Sequence, residues 1–177
     1  MKIQHTLCLL LLMSALSCVR PQERLQKEIE TAAAALDSTA GTTPSQERVD
    51  ALVQLCIDYA DQYKDDTLAP VYLFKAGELS IASGQFDKAL ELFGRVQRYP
   101  NNNKVAEALF LQGFVSENHL NNKEAAKNYY TRFLQQYPQH ALSDDARLLL
   151  QQLTLSPEDL MRMFEQQNMQ GGGAGPL

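Results

Sequence analysis

Apolar residues recur at helical spacing along almost the whole chain between Pro21 and Gln167. Alanine, leucine and glutamine are abundant, strand-like alternation is missing, and no Asn-Gly or Asp-Gly pair marks a hairpin turn. The pattern predicts an all-α fold of eight helices with short connections, so that neighbouring helices pack antiparallel. The predicted helices span approximately 22–38, 44–63, 69–82, 86–98, 103–120, 123–136, 142–153 and 157–167.

Three short segments carry the residue types that begin helices. Residues 43–46 (TPSQ) offer a threonine cap, a proline at the first helical position and a glutamine that can close a capping box. Residues 156–159 (SPED) repeat this arrangement with acidic side chains. Residues 143–145 (SDD) place a serine cap and two carboxylates where the helix dipole favours them.

The first 17 residues have the three parts of a secretory signal peptide. Lys2 supplies the basic part, residues 7–13 form a short apolar run, and residues 14–17 lead into a cleavage site. The apolar run is too short to cross a hydrocarbon core of about 30 Å as a permanent helix. We therefore predict that residues 1–17 are a signal peptide.

Residues 15–18 (ALSC) resemble the lipobox of bacterial lipoproteins, although Ala15 stands where leucine is commonest. The resemblance implies that Cys18 is acylated, as with palmitate, and becomes the first mature residue, followed by a lipidated tether over 18–21. It also implies a cell-envelope protein anchored to a membrane by its N-terminal lipid. Because Val19 is not the aspartate that holds many lipoproteins at the inner membrane, we expect the outer membrane, facing the periplasm. A plain secretory signal is the alternative.

Charge and cysteine content narrow the class of protein further. The formal net charge is −5 and no segment is dense in lysine or arginine, so that nucleic acid is not an expected partner. Cys8 would leave with the signal peptide and Cys18 would be acylated, so Cys56 would stand alone and no disulfide framework is expected. Cys56 lies on an apolar helical face, which indicates a small buried side chain rather than a reactive thiol.

The segments 73–100 and 109–138 repeat one pattern. Gly77 matches Gly113 at a shift of 36 residues, and the Tyr-Pro pairs that close the two segments match at a shift of 38. The drift indicates that the second unit has two extra residues. Self-similarity with such a period is typical of helical repeat proteins, in which each unit stacks on the next.

Both segments resemble tetratricopeptide repeats, with the clearest units at 70–102 and 106–138. The resemblance implies an α-solenoid of about four antiparallel helix pairs over 22–167, followed by a disordered glycine-rich tail over 168–177. It also implies that small residues let helices approach, aromatic rings fill the space between a pair and its neighbour, and prolines end the second helix of each unit. In chain order these residues are Gly77, Ala89, Phe93, Pro100, Gly113, Ala126, Tyr130 and Pro138.

No set of residues suited to catalysis or cofactor binding stands out in the sequence. His5 falls in the predicted signal peptide, and His119 and His140 lie near predicted helix ends. No metalloprotease motif, nucleophile elbow or phosphate-binding glycine loop occurs. We therefore predict no catalytic residue, no metal site and no cofactor, and a protein that is not an enzyme.

The resemblance further implies that the first helix of each unit lines a concave groove that holds partner peptides. Carried over by position, the groove residues are Phe74, Glu78, Ile81, Phe110, Phe114, Glu117 and Asn118. The rings would take partner side chains, and the amide of Asn118 would bond to the partner backbone. Alternatively, Phe110 and Phe114 pack against the next helix pair. Lys75 and Lys104 add a basic element, but two lysines give weak support for the capture of an acidic tail.

These features favour a membrane-anchored, non-catalytic scaffold that binds a protein or peptide in the bacterial cell envelope. One alternative is a structural accessory subunit of an outer-membrane assembly or of a cell-division or cell-wall complex. A second alternative is a lipoprotein that binds a nutrient such as a glycan. Sugar-stacking platforms are usually tryptophan or tyrosine, and the chain has no tryptophan.

Overall fold

A computed structural model describes residues 20–37 and 45–170 of the protein. Over this part of the chain the secondary structure is helical, without strands, as the periodicity predicts. The helices are Pro21–Asp37 (α1), Gln46–Gln62 (α2), Ala69–Ala82 (α3), Phe86–Val96 (α4), Lys104–Asn118 (α5), Lys123–Gln136 (α6), Ser143–Thr154 (α7) and Pro157–Gln170 (α8).

Each helix from α1 to α6 packs against the one that follows it, and α3 also contacts α5 directly. Because the connections are short, successive helices run antiparallel, and α3 and α5 run in the same direction side by side. This arrangement is a tetratricopeptide-like α-solenoid, which confirms the predicted fold class.

Three predicted helix starts have different outcomes. Ser156 caps α8, because its Oγ accepts a hydrogen bond from the Asp159 amide at 3.1 Å and donates to Asp159 Oδ2 at 2.8 Å. Ser143 is instead the first residue of α7, and its hydroxyl donates to the Tyr137 carbonyl at 2.8 Å, which ties α7 to the end of α6. Helix α2 begins only at Gln46, and the predicted cap at 43–44 lies outside the described residues.

The two ends of the described chain also depart slightly from the predicted domain limits. Pro21, predicted as the last residue of the tether, is the first residue of α1, since the fixed φ of proline suits the first helical position. Residues 168–170, predicted as part of the disordered tail, continue α8, because residues 158–170 contain no glycine or proline to end the helix. The predicted signal peptide over 1–17, Cys18 and residues 171–177 lie outside the described residues.

Two hydrophobic clusters form the core, and α5 contributes to both. The first cluster joins α1 to α5 and includes Val105 and Ala108. The second joins α5 to α7 and includes Ala106 and Leu109. Because neighbouring positions of α5 face opposite clusters, this helix links the two repeat units mechanically. The largest fully buried side chains of the described residues are Tyr59, Phe93, Tyr130 and Phe133.

Candidate partner-binding face

The two predicted repeat glycines each lie under an aromatic ring. A Cβ atom on Gly77 would lie 2.5 Å from Phe93 Cε1, and a Cβ atom on Gly113 would lie 2.6 Å from Tyr130 Cε1. Each ring therefore occupies the space within its own helix pair, against the glycine of the preceding helix. Ala89 and Ala126 are fully buried in the second helices of the pairs. These contacts set the spacing of the helices that carry the candidate site.

The repeat prolines lie in the turns that follow the second helices. Helix α4 ends at Val96, and Pro100 is exposed beyond a turn in which the Tyr99 amide bonds to the Val96 carbonyl at 3.0 Å. Helix α6 ends at Gln136, and Pro138 is likewise exposed. Pro100 therefore shapes the connection to the next unit rather than terminating the helix itself.

Phe74 and Phe110 occupy equivalent positions on α3 and α5, and both contribute to the core. Phe74 is 5% exposed and its ring lies 5.5 Å from that of Phe93. Phe110 is half-buried, with its ring 5.6 Å from Tyr130 and 5.7 Å from Phe133. Packing within the helix pairs therefore uses these two rings, which leaves little of the Phe74 surface for a partner.

Phe114 differs from both, because it is 36% exposed. It occupies the position on α5 that Glu78 occupies on α3, and Glu78 is also exposed. Ile81, one turn further along α3, is half-buried. Because α3 and α5 contact each other, we group the exposed and half-buried side chains at these repeat positions together. We define the α3–α5 face as Glu78, Ile81, Phe114, Glu117 and Asn118.

Glu117 and Asn118 each make one internal hydrogen bond. Glu117 Oε2 accepts from the Tyr130 hydroxyl at 3.0 Å, and Asn118 Nδ2 donates to the Phe114 carbonyl at 3.0 Å. Burial raises the pKa of Tyr130 far above its ordinary value, and the Glu117 charge and hydrogen bond raise it further. Tyr130 therefore stays protonated and donates to Glu117, which anchors one side of the face to α6.

The charged residues near the N-terminal half of the face balance one another. Lys104 Nζ lies 2.7 Å from Glu107 Oε2 and 4.9 Å from the centroid of the Phe74 ring. Partial burial raises the pKa of Glu78 above its ordinary value, and Glu107 raises it too, whereas Lys104 and Lys75 oppose the shift. Lys104 is thus already paired, which removes half of the basic element that the sequence suggests.

An aromatic contact beside the face was not predicted from the sequence. The His119 ring stacks on Phe86 with centroids 4.1 Å apart and planes at 13°, and Phe114 approaches His119 edge-on at 5.8 Å. His119 follows the end of α5, whereas Phe86 begins α4 of the preceding unit. The contact is between units, so no local pattern around either residue indicates it. It holds Phe114 beside a rigid ring pair.

The part of the chain that the structure describes has no evident metal-binding cluster. In it, no group of three or more His, Cys, Asp or Glu side chains is arranged to hold a metal ion. Within 20–37 and 45–170, no helix combines the length and apolar character that crossing a membrane requires. Cys56 is buried, and burial raises the pKa of its thiol to about 11 in spite of the opposing Lys75 charge.

Comparison with known families identifies the two central units. Residues 72–102 and 107–140 match the tetratricopeptide repeat family, which confirms the two units that the sequence pattern indicates. Tetratricopeptide repeats are generally non-catalytic domains that bind protein partners. No curated protein matches the chain significantly.

Proposed function

We propose that this chain is a lipid-anchored, non-catalytic scaffold of a bacterial cell envelope that holds a protein partner on the α3–α5 face. The anchor is the acylated Cys18, and the membrane is the outer membrane on its periplasmic side. The two tetratricopeptide repeats support the scaffold role, because repeats of this family bind protein partners. The lipobox-like residues 15–18 support the anchor.

The exposure of Phe114 is the observation that carries the partner-binding part of the proposal. Phe74 and Phe110 occupy the same position in the two repeats, and neighbouring helices cover their rings. Phe114 instead leaves 36% of its surface in water. Exposed aromatic residues on rigid elements are the usual anchors of protein interfaces. Asn118, one turn along α5, and Glu78, at the equivalent position of α3, are exposed polar groups that can fix the orientation of a partner.

The order of residues at the N-terminus supports a function close to a membrane. Helix α1 begins at Pro21, so that only Val19 and Arg20 separate it from Cys18. An acylated Cys18 would therefore hold the solenoid near the lipid surface with little free tether. A partner would have to come within reach of that surface, as a membrane-associated or periplasmic protein does.

Site-specific photocrosslinking tests the scaffold role. We replace Phe114 with p-benzoylphenylalanine in the full chain, in a bacterial envelope, and place the same amino acid at Glu91 as the control. Glu91 is exposed on α4, outside the α3–α5 face. We expect one defined protein adduct from position 114 and none of that mass from position 91. Equal adducts from both positions, or none from 114, would contradict the proposal.

Metabolic labelling with an alkyne analogue of palmitate tests the anchor. Cys18→Ser should abolish labelling and move the chain out of the detergent phase. The matched control is Cys56→Ala, which removes the other mature cysteine and should keep both properties. If the Cys18→Ser chain still carries label, the anchor is elsewhere and this part of the proposal is wrong.

A further inference from the structure

The unused polar atoms of the α3–α5 face are hydrogen-bond acceptors. Asn118 is exposed and has its amide nitrogen bonded to the Phe114 carbonyl, and its Oδ1 has no hydrogen-bond partner among the described residues. Glu117 uses Oε2 for Tyr130, and no described residue bonds to Oε1. Glu78 makes no hydrogen bond within 20–37 and 45–170. A ligand that satisfies these atoms must supply donors.

The charges on α3 and α5 have the same bias. These two helices carry three carboxylates, Glu78, Glu107 and Glu117, and two ammonium groups, Lys75 and Lys104. Lys104 is paired with Glu107 at 2.7 Å. No charged residue follows Glu78 on α3, and the one that follows Glu107 on α5 is Glu117. Glu117 lies within one turn of Phe114.

The helix ends strengthen this bias. Helices α3 and α5 run in the same direction and end at Ala82 and Asn118. Each helix C-terminus carries about half a negative charge from its unpaired carbonyl groups. Neither helix has a basic residue in its last turn. The half of the face that exposes Phe114 therefore combines apolar surface with negative potential.

We propose that the α3–α5 face takes an extended basic and apolar segment of a partner protein. A large apolar side chain of the segment contacts Phe114 and Ile81, and a lysine or arginine two residues away faces Glu78 or Glu117. Alternate side chains of an extended strand point the same way, which brings both groups onto the face. This inference rests on the proposed scaffold function and is opposite in sign to the capture of an acidic tail.

Fluorescence anisotropy with three labelled peptides tests this ligand class on the purified full chain in detergent. The probe is Gly-Phe-Ser-Lys-Ser-Phe-Ser-Lys-Gly, which alternates phenylalanine and lysine along one side of a strand. The comparison peptides carry glutamate for each lysine, or alanine for each phenylalanine. We expect the first peptide to bind at least about tenfold more tightly than either of the others at low salt. Tighter or equal binding of the glutamate peptide overturns the inference.

Two variants and a charge-matched control locate the contact. Glu78→Gln should weaken binding of the lysine peptide about three- to fivefold and reduce its salt dependence. Phe114→Ala should weaken it about tenfold. Glu91→Gln makes the same charge change on α4 and should leave affinity unchanged. Circular dichroism melts establish that each variant is folded. Equal effects of Glu78→Gln and Glu91→Gln would overturn the inference.

The outcomes separate this inference from the function on which it rests. If position 114 crosslinks a defined partner but the lysine peptide does not bind, the scaffold stands and the ligand class is wrong. If position 114 crosslinks nothing and the lysine peptide does not bind, both fail. Binding of the lysine peptide that depends on Glu78 and Phe114 supports the ligand class, and the crosslinked segment should then contain the same residue types.

Discussion

A single missing Cβ atom has different consequences at different glycines of this protein. At Gly77 a Cβ would overlap the Phe93 ring, with 2.5 Å to Cε1. At Gly94 a Cβ would lie 3.4 Å from Gln112 Nε2, the movable end of a long side chain. Gly77 is therefore required for the close approach of α3 and α4, whereas Gly94 is not.

Gly77→Ala should lower the free energy of unfolding by about 1–3 kcal/mol, because a rigid ring within a packed core has no room to move. The control Gly94→Ala should be neutral or stabilising by up to about 1 kcal/mol, since alanine favours the helix more than glycine does. Urea denaturation followed by circular dichroism measures both values.

A second substitution tests the cause of that loss. Phe93→Leu in the Gly77→Ala background removes the ring that the added Cβ meets, so the double variant should lose less stability than the sum of the two single variants. Strict additivity of the two losses would show that the contact between Gly77 and Phe93 is not the reason.

Cys56 should make the protein less stable in alkali. Burial raises the pKa of its thiol to about 11 in the folded chain, from an ordinary value of 9.0. Above pH 9 the unfolded chain therefore loses this proton first, and stability falls by about 2 kcal/mol as the pH rises to 11. Urea midpoints measured from pH 8 to 11 test this.

Cys56→Ala serves as the control for the alkaline effect. It lowers stability at every pH because it leaves a small cavity, but the slope between pH 9 and 11 should become shallower. Tyr72, whose pKa burial raises from 10.0 to about 12, adds a separate loss in this window because the unfolded chain ionises it first, so the slope in Cys56→Ala should not vanish. An unchanged slope in Cys56→Ala would assign the alkaline loss to other groups.

At the scale of the helix, polar contacts hold α1 in place. Ile29 is the fully buried residue of this helix. Gln22 Nε2 and Gln26 Nε2 both donate to the Tyr59 hydroxyl of α2, at 2.8 and 2.7 Å, and Gln22 also reaches Asp66 Oδ2 at 2.6 Å. The other apolar residues of α1 that pack against the core are only partly buried, so these bonds add to a modest apolar contact in holding α1 on α2.

Tyr59→Phe removes the acceptor of both glutamines and should lower amide protection in α1 by about 1–2 kcal/mol. Hydrogen exchange measured by mass spectrometry should show the loss in α1, with protection in α6 unchanged. The matched control is Tyr63→Phe, because Tyr63 is half-buried beside Tyr59 and its hydroxyl bonds to no described residue. Equal losses from both variants would contradict the role of the Tyr59 hydroxyl.

At the scale of the whole molecule, the two core clusters predict two regions of different stability. The cluster that joins α5 to α7 has fewer buried residues than the cluster that joins α1 to α5. In a solenoid each unit is stabilised mainly by its nearest neighbours, so a defect spreads less than in a globular core. Leu148 on α7 and Met161 on α8 are exposed at the far end, which indicates weak cover there.

Phe133→Ala should therefore loosen the second cluster selectively. Removing a fully buried ring costs about 3–5 kcal/mol locally. We expect amide protection in α6 and α7 to fall well before that in α2 and α3, as measured by hydrogen exchange. The control Phe93→Ala removes a ring from the first cluster and should produce the opposite distribution. Uniform loss in both variants would indicate one cooperative unit instead.

Much of this fold could be predicted from local features of the sequence. Helix positions follow from apolar periodicity, and the repeat follows from the spacing of Gly77 and Gly113. The exact first residue of each helix is harder to predict, because a hydroxyl such as that of Ser143 can bond to the end of a neighbouring helix instead of capping its own helix. The predicted outcomes for Cys18 and residues 1–17 remain predictions, since those residues lie outside the described part of the chain.

The order of residues is enough to establish that the chain is helical, where its repeats lie and which residue types stand at the repeat positions, because these properties depend on near neighbours along the chain. Which aromatic rings remain exposed follows from the packing of the helices. Phe74 is covered by α4 and by Lys104 of the next unit, whereas Phe114 meets His119 edge-on and keeps 36% of its surface in water. Exposure depends on how adjacent units stack, which residues far apart in sequence determine together.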